Sequence, residues 1–422
     1  MLTLYRLLTR LATPLALRRL ERDAGADMAG RRDERLGDVE PVGAAPIWIH
    51  AASVGEVNAA AVLVEALQKR CPALPLVIST MTASGARRCQ ERLGPSIAHR
   101  FAPLDTRPAT RRWLAALEPR VGLITETEIW PELFHQCAAR KLPLAMINAR
   151  VSQVAMRRYR RVGRLMAPAL GAVSLAACQS DRDAERLHEL GLPEGRAVVT
   201  GNMKFDFSPP ADLETRADQL ETWLGQRPVW VAGSTRPGEE EIVLRAHQRL
   251  RQQHPKAVLI LAPRHIDRAD DIADLMSSLG MDFGRLGEAL AADRNVMLVD
   301  RMGWLLPAYS VGQAALVGGT LVAGIGGHNL LEPGLAGCPV IAGPHVENQQ
   351  EMASALDQAG ALVKVLDSSG LAEAVAVLIE DEDKRRQRID AAGTVIAAGR
   401  GAVDRTLQAL SQAGLLPIEA AG

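Results

Sequence analysis

Aromatic residues are scarce in this sequence, and neither sign of charge is in excess. Of its 422 residues 3% are aromatic, and 49 Lys and Arg balance 49 Asp and Glu. A nucleic-acid-binding protein usually carries a clear basic excess, so this balance argues against that class. Apolar residues make up 47% of the chain, which is enough for large cores, and the length corresponds to two or three domains.

Cysteine is also scarce, and its spacing excludes two kinds of site. The cysteines are far apart, and no CxxC pair occurs among them, so the sequence predicts neither a zinc site nor a redox-active dithiol. Such isolated thiols fit a reducing cytoplasm. The five residues are Cys71, Cys89, Cys137, Cys178 and Cys338.

The N-terminal segment lacks an apolar run long enough to cross a membrane. Its longest uncharged stretch is Leu11–Leu17, whereas a spanning helix needs about 20 apolar residues. No convincing cleavage site follows, which argues against a signal peptide. Several leucines fall near one helical face between arginines, so we predict that residues 1–30 form a basic amphipathic helix on an anionic membrane. A helix packed on its own domain is the alternative. The leucines are Leu4, Leu7, Leu8, Leu11 and Leu15.

Short apolar, β-branched runs alternate with charged, helix-like segments along the whole chain. This alternation predicts an α/β protein with two Rossmann-like, doubly wound parallel sheets that face a central cleft. The predicted strands are Pro46–Ala52, Leu74–Thr80, Val121–Glu126, Leu142–Asn148, Ser174–Ser180, Arg196–Asn202, Pro228–Ser234, Ala257–His265, Val296–Asp300, Ala314–Thr320, Pro339–Pro344 and Leu362–Leu366.

A proline-rich stretch divides the chain into two halves. Pro209 and Pro210 stand beside Ser and Asp, a composition typical of a linker, which we place at residues 208–213. The first domain then covers residues 31–207 and the second covers residues 214–422. The last helices of the second domain could pack back on the first.

Charged side chains follow predicted strands of the first half. Such sheets bind ligands beyond the carboxyl ends of their strands, so these residues are candidate site residues. Glu56 follows a turn of small residues and could act as a base, although an ordinary glutamate at a helix start is the alternative. Of Glu126 and Glu128, one could face the cleft while the other caps or pairs. Lys204 could meet an anionic substrate or pair with Asp206.

The first two strands of the second half end in residues suited to phosphate. Ser234 lies in the turn 233–240, whose backbone N–H groups at a helix start suit an anion. Arg264 offers a fork of donors to phosphate oxygens. His265 is either a second donor or a core histidine.

The glycine-rich segment Gly324–Pro333 is the strongest candidate for a nucleotide-sugar site. It follows a predicted strand, and its glycines allow close backbone approach. We predict that a helix starts near Asn329. Glu332 then lies one turn in, where a carboxylate can hold ribose hydroxyls.

A possible metal motif has a simpler explanation. Asp181-Arg182-Asp183 resembles the DxD of metal-dependent glycosyltransferases, but it also fits a helix start with an N-cap and a first-turn acid. We therefore predict no metal site.

Eight motifs then occur in a fixed order: HAASVGE, TETEIWP, NARVS, GNMKFD, GSTRPGEEE, APRH, GGHNLLEP and GPHVEN. Together they resemble those of the 3-deoxy-D-manno-octulosonic acid (Kdo) transferases, which are GT-B glycosyltransferases, from about Arg31 to about Leu410. The resemblance implies a CMP-β-Kdo donor on the second domain and a tetra-acylated lipid A precursor (lipid IVA) on the first. It also implies transfer to the 6′-hydroxyl with inversion, and with neither a metal nor another cofactor.

The same resemblance implies roles for individual residues. Glu56 matches the general base, and Glu126 and Lys204 match residues that stabilise the transition state. The chain departs from the family at Gln349-Gln350, where an aromatic residue is common. The residues predicted to bind CMP are Ser234, Arg264, His265, Met302, Gly303, Gly326, Gly327, Asn329 and Glu332.

The resemblance also implies a location on the cytoplasmic face of the bacterial inner membrane, peripheral or N-terminally anchored. The basic run Arg157–Arg164 could meet the phosphates of lipid A or form a solvated helix face. Two other functions stay open from the residues: a GT-B transferase that uses a UDP-sugar, and a catalytically silent protein that binds a nucleotide sugar or lipid.

Overall fold

The computed structural model contains two compact units, each built on a parallel sheet. Contacts group Met1–Ser208 with Gly399–Gly422, and separately Pro209–Ala398. Each unit has a seven-stranded sheet with helices along the chain between its strands, which confirms the predicted α/β class. The residues described are 1–24, 31–207, 209–210, 212–288 and 294–417.

The first sheet has the strand order β3-β2-β1-β4-β5-β6-β7. Its strands are parallel because a crossover segment returns the chain to the same edge before each new strand. They are β1 (Ile47–His50), β2 (Leu76–Thr80), β3 (Ala98–Phe101), β4 (Val121–Thr125), β5 (Leu144–Ala149), β6 (Val173–Cys178) and β7 (Ala197–Val199).

The second sheet has the order β10-β11-β9-β8-β12-β13-β14 and is also parallel. Its strands are β8 (Val229–Thr235), β9 (Val258–Pro263), β10 (Phe283–Arg285), β11 (Val296–Leu298), β12 (Ala314–Val317), β13 (Val340–Ala342) and β14 (Leu362–Lys364).

Helices lie between most consecutive strands, and the described part of the connection from β10 to β11 contains none. In chain order they are α1 (Leu2–Ala24), α2 (Arg32–Arg35), α3 (Val54–Arg70), α4 (Ala83–Leu93), α5 (Arg107–Leu117), α6 (Pro131–Ala139), α7 (Gln153–Arg161), α8 (Gly163–Leu170), α9 (Asp181–Leu190), α10 (Leu213–Leu224), α11 (Glu239–Gln253), α12 (Ala269–Ser278), α13 (Leu305–Val311), α14 (Leu331–Leu335), α15 (Gln350–Gln358), α16 (Ser368–Glu380), α17 (Glu382–Gly399) and α18 (Ala402–Gln412).

Two strands of the structure are missing from the sequence prediction. Both β3 and β10 are edge strands, and each contains an arginine. Burial alternates along β3, and β10 has only three residues, so neither shows the continuous apolar run that reveals a central parallel strand. The other predicted strands are confirmed, with ends shifted by a few residues.

Each sheet has a switch point beside its first strand along the chain, where the strand order reverses, and in the second sheet β11 also lies inside the edge strand β10. In the first sheet the reversal lies between β1 and β4, and in the second it lies between β8 and β12. Ligands of doubly wound sheets bind beyond the carboxyl ends of the strands at such reversals. The loops that leave these four strands are therefore the places to look for a site.

The first sheet is packed tightly around Trp48 of β1. Its ring meets that of Trp113 edge to face, with centroids 4.9 Å apart. Gly122 pairs with Trp48 on the neighbouring strand, and a Cβ at Gly122 would lie 2.8 Å from the Trp48 ring. Glycine is therefore needed here because a larger side chain would displace the tryptophan.

Helix α1 packs on the first unit with one face and exposes another. Tyr5 and Arg6 form hydrogen bonds to residues of the unit, and Leu17 is buried. Residues 25–30 of the predicted N-terminal segment lie outside the described residues. Across the described part of the chain, no helix is both long and apolar enough to cross a membrane. The exposed apolar residues of the segment, each more than half exposed, are Met1, Leu4, Leu7, Leu8, Leu11 and Leu15.

The C-terminal helix belongs to the first unit. Val403, Leu407 and Leu410 of α18 are buried in the same apolar cluster as residues of β1 and α3. Asp206 accepts hydrogen bonds from the backbone N–H groups of Gly401 and Val403 at the start of α18. The second domain therefore ends before Gly399, whereas the sequence boundary runs to residue 422.

Candidate functional site

Glu56 lies in the first turn of α3, just beyond the carboxyl end of β1. Its Oε2 accepts a hydrogen bond from the backbone N–H of Ala52 at 2.7 Å. Its Oε1 accepts one from the hydroxyl of Ser53 at 3.1 Å. The small residues between β1 and α3 thus let the carboxylate fold back over the turn, which holds it in one orientation.

The surroundings of Glu56 favour its protonated form. Burial raises the pKa of Glu56 to about 8, and the carboxylates of Glu128 and Glu126 add to the increase. An ordinary glutamate at a helix start would instead be stabilised as an anion by the helix dipole. A carboxylate with a pKa near working pH is suited to accept a proton from a hydroxyl.

Glu126 and Lys204 form an ion pair beside this carboxylate. Lys204 Nζ lies 2.9 Å from Glu126 Oε1, and each side chain is 21% exposed. Glu126 follows β4 with φ of +56°, a left-handed conformation that is uncommon outside glycine. Such strain persists where the surrounding structure imposes it, and it is frequent at functional sites.

Lys204 is held by a short 3₁₀ turn, Met203–Asp206. Its backbone N–H donates to Oδ1 of Asn202, and the N–H of Met203 donates to Oδ1 of Asn148. The alternative of an ion pair with Asp206 is wrong, because Lys204 pairs with Glu126 and the Asp206 carboxylate caps α18.

The third carboxylate, Glu128, plays a different part from Glu126. Its Oε2 accepts a hydrogen bond from Trp130 Nε1 at 3.0 Å. Burial raises the pKa of Glu128, and the nearby Glu126 carboxylate adds to this. The loop after β4 thus brings two acids to the Glu56 side of the sheet, and one of them is paired with a cation.

In the second unit, the equivalent helix start is organised by Glu239. This fully buried carboxylate accepts backbone hydrogen bonds from Gly319, Thr320 and Leu321, at 2.7 to 3.0 Å. It also accepts one from Arg236 N at 2.9 Å. At least one backbone N–H of the turn 233–240 therefore donates to an internal carboxylate. The sequence predicted that the N–H groups of this turn bind phosphate.

Ser234 stands where two loops approach closely. Its φ is +58°, and a Cβ added to Gly318 would lie 2.3 Å from the carbonyl oxygen of Ser234. Glycine at 318 is required because any side chain would collide with this backbone. Ser234 thus lies at the strand reversal between β8 and β12, as a ligand-binding residue of this fold should.

A cluster of basic side chains lies beyond β8, β9 and β12. Arg236 Nη1 lies 2.5 Å from Nε2 of His265, which is exposed, so the core-histidine alternative is wrong. Burial, together with the cations of Arg264 and Arg236, lowers the pKa of His328 to about 4. Partial desolvation of the ring and the same two arginines also lower the pKa of His265. This concentration of positive charge suits a phosphate.

The glycine-rich loop is folded against its own chain. Gly326 has φ of +82°, and its carbonyl accepts a hydrogen bond from Asn348 N at 2.8 Å. Gly327, with φ of +86°, donates to the carbonyl of Gly319. Both positions need glycine because their backbone is left-handed.

The helix predicted near Asn329 is α14, which begins at Leu331 and has five residues. Asn329 Oδ1 accepts the N–H of Leu331, and Asn329 Nδ2 donates to Glu332 Oε1 at 3.3 Å. Glu332 is therefore held in the first turn, next to the loop.

Met302 and Gly303 lie between β11 and α13. Gly303 has φ of +87°, and its carbonyl accepts a hydrogen bond from Arg216 of α10 at 2.9 Å. Met302 is 40% exposed. Their role in CMP binding stays a prediction.

The DxD-like motif is a helix start, as predicted. Helix α9 begins at Asp181, but its N-cap is Ser180. Asp183 is fully buried and accepts hydrogen bonds from Val151 N and from the Ser180 hydroxyl. Its carboxylate therefore already serves a structural purpose.

Comparison with known proteins decides the family. A family profile described as 3-Deoxy-D-manno-octulosonic-acid transferase (kdotransferase) matches residues 30–207. The 3-deoxy-D-manno-octulosonic acid transferase of Haemophilus influenzae is 36% identical over 368 residues, which is 86% of each chain. That of Bordetella pertussis is 34% identical over 380 residues, which is 87% of each chain. This chain belongs to the Kdo transferase family.

Kdo transferases are glycosyltransferases, and the fold of this one is the GT-B fold. The UDP-GlcNAc 2-epimerase of Neisseria meningitidis, solved with UDP-GlcNAc bound, superposes with a TM-score of 0.60. The match covers 87% of this chain and 100% of the epimerase, at 15% identity. It therefore concerns the architecture and not the reaction.

Three residues that lie at the site of this Kdo transferase were not predicted from the sequence: Arg236, Glu239 and His328. Arg236 and Glu239 stand in the motif GSTRPGEEE, and His328 stands in GGHNLLEP. Both motifs follow predicted strands, so position alone could have singled these residues out. Three of the four partners of Glu239 lie 80 to 82 residues away in sequence, and no local pattern reveals them.

Proposed function

We propose that this enzyme transfers Kdo from CMP-β-Kdo to the 6′-hydroxyl of tetra-acylated lipid A precursor (lipid IVA), a step of lipopolysaccharide core assembly. The transfer inverts the anomeric centre and needs no metal. The observation that carries the proposal is Glu56, a held carboxylate whose pKa burial raises to about 8. The family to which the chain belongs supports Kdo as the transferred sugar.

The proposed reaction is a single displacement. The acceptor oxygen forms a bond to the anomeric carbon while the bond from that carbon to the phosphate oxygen breaks. The acceptor proton passes to the carboxylate of Glu56, and CMP leaves with the electron pair. One base is sufficient because CMP is a good leaving group.

Lys204 and Glu126 are proposed to stabilise the transition state. Kdo carries a carboxylate, and Lys204 is a partly exposed cation in the unit that contains Glu56. Glu126 holds the ammonium group in place at 2.9 Å. A pre-oriented charge of this kind acts without reorganisation during the reaction.

The donor is proposed to bind the second unit through the basic cluster. Arg264, with Arg236 and His265, offers donors to the phosphate of CMP, and Glu332 offers acceptors to the ribose hydroxyls. Fixed arginine charges can neutralise the departing phosphate, which is why we propose that no metal is needed.

A mass measurement tests the reaction. Purified protein is given lipid IVA and pre-formed CMP-Kdo in the presence of EDTA, and the lipid is analysed by mass spectrometry. We expect a gain of one or more Kdo units. A lipid of unchanged mass, from protein that binds CMP, would contradict the proposed acceptor. Tighter binding of UDP than of CMP would instead favour a UDP-sugar transferase.

We also propose that α1 lies on the cytoplasmic face of the inner membrane. Its exposed leucines form one apolar surface, and the exposed arginines of α7 could meet the phosphates of lipid A. Replacing Leu8, Leu11 and Leu15 by Gln should abolish binding to phosphatidylglycerol vesicles, because the apolar contact is lost. Turnover of detergent-dispersed acceptor should not change. Equal vesicle binding before and after the substitutions would remove α1 as the contact.

A further inference from the structure

Helix α1 makes a partly buried ion pair with the start of α6. Arg6 Nε lies 2.6 Å from Glu132 Oε2, and Arg6 Nη2 lies 3.1 Å from Oε1, so the contact is bidentate. The Glu132 side chain is fully buried, and Gln136 Nε2 donates to it as well. A bidentate arginine defines direction as well as distance, so α1 fixes the orientation of this carboxylate.

A second contact joins α1 to the same helix end. The Tyr5 hydroxyl donates to Asp105 Oδ2 at 2.6 Å. The same carboxylate accepts the backbone N–H groups of Glu132 and Leu133, in the first turn of α6. Asp105 thus ties α1 to the N-terminus of α6 while it satisfies two otherwise free donors.

The first turn of α6 directly continues the acidic loop, residues 126–130. Pro131 is the first residue of α6, and Trp130 before it donates to Glu128. The hydroxyl of Tyr159 holds the loop at the carbonyl of Thr127. Glu126 at the other end is in the left-handed conformation. A displacement of α6 at Pro131 would therefore be transmitted to Glu126 and Glu128.

We propose that Tyr5 and Arg6 are positioning residues for glycosyl transfer. They hold the start of α6 and, through it, the acidic loop that carries Glu126 and Glu128 beside Glu56. The inference rests on the proposed function of these acids. It gives α1 a role separate from any membrane contact, since Tyr5 and Arg6 bind residues of the unit, whereas the exposed leucines at positions 4, 7, 8, 11 and 15 face away. Deletion of residues 1–22 would remove both roles together.

The test uses substitutions in the full chain, assayed with CMP-Kdo and detergent-dispersed acceptor so that vesicle binding does not enter. Arg6→Gln should lower kcat by roughly 10- to 100-fold, the penalty of misplacement by about 1 Å. Tyr5→Phe should have a smaller effect of the same kind, and Arg6→Lys should recover part of the rate. The dissociation constant of CMP should not change. Arg10→Gln, an exposed arginine on the same helix, is the matched control.

Two readouts separate positioning from a loss of folded protein. If the acidic loop moves, the carboxylates that raise the pKa of Glu56 move away, and the acid limb of the kcat/KM profile shifts to lower pH. Hydrogen exchange at residues 126–133 should also accelerate. The double variant Arg6→Gln/Glu132→Gln leaves no unpaired carboxylate at position 132, so it should regain stability without regaining the rate.

Other results would overturn the proposal. The proposal fails if folded Tyr5 and Arg6 variants transfer Kdo at the wild-type rate. It also fails if the loss of rate only matches the fraction of unfolded protein. In that case the acid limb of the kcat/KM profile is not shifted, and hydrogen exchange at residues 126–133 does not change. If wild-type protein transfers no Kdo, the proposed function fails, and the exchange measurement still decides whether α1 holds the loop.

Discussion

Glu56 and Glu239 occupy the same place in the two units and have different surroundings. Each lies in the first turn of the helix that follows the first strand of its sheet along the chain. Glu56 is half-buried and accepts two hydrogen bonds, one of them from the backbone. Glu239 is fully buried and accepts four, all from backbone N–H groups.

The difference shows how one position in a fold can serve chemistry or architecture. Glu239 accepts hydrogen bonds from four backbone N–H groups, and its carboxylate oxygens hold the loop 319–321. Burial, with the nearby carboxylates of Glu128 and Glu126, raises the pKa of Glu56 to about 8. A carboxylate with spare acceptor capacity and a raised pKa can take up a proton, whereas a saturated one is a structural bridge.

The largest expected effect is that of Glu56→Gln on the rate. Removal of a general base should lower kcat/KM by about 10³-fold, with CMP binding unchanged. The same substitution should increase the free energy of unfolding above neutral pH. Because the pKa of Glu56 is raised in the folded state, protonated Glu56 stabilises the fold, and that stability is lost as pH rises through about 8. The free energy of unfolding at pH 9 should therefore be higher in the variant.

Steady-state kinetics and urea unfolding check both parts of this prediction. The control is Glu65→Gln, a substitution farther along the same helix α3 at a position that pairs with Arg92. Near-normal turnover by the Glu56 variant would remove it as the base. Equal or lower stability at pH 9 would contradict the raised pKa.

Glu239→Gln should act mainly on stability, whereas Glu56→Gln acts mainly on the rate. The amide keeps one acceptor and brings an N–H toward backbone donors, so hydrogen bonds to Gly319, Thr320 or Leu321 are lost. We expect a loss of about 3 kcal/mol in the free energy of unfolding. CMP binding should weaken as the loop loosens. Unfolding by urea measures the first effect, and a variant as stable as wild type would show that the loop does not depend on this charge.

The comparison also shows which features a sequence can reveal. Glu56 was predicted because strand, small-residue turn and helix start lie within a few residues of one another. Glu239 and the true partner of Lys204 were not predicted, because their contacts join positions about 80 residues apart. Central strands were found by their apolar runs, whereas the edge strands β3 and β10 carry arginines and lack that signal.

A smaller effect, on CMP binding, is expected from a substitution in the basic cluster of the second unit. Arg236→Gln removes one cation from the predicted phosphate site and should weaken CMP binding about tenfold. The dependence of CMP binding on salt should fall with it, because one fewer charge is screened. Calorimetry at two salt concentrations measures both changes. Arg245→Gln, an exposed arginine on α11 that pairs with Glu241, is the control. Unchanged affinity would remove Arg236 from the site.

The smallest expected effect is that of Glu128→Gln, which removes one carboxylate near Glu56 and should increase the rate at pH 7. Glu128 raises the pKa of Glu56, so Glu128→Gln should lower it below 8 while an amide oxygen still accepts from Trp130. More Glu56 is then ionised at pH 7, and kcat/KM there should rise a few-fold, although the weaker base is slower at pH 9. The two pH–rate profiles should therefore cross. Parallel profiles would mean that Glu128 does not contribute to the pKa of Glu56, and that the acidic loop acts on the reaction only through Glu126, which pairs with Lys204.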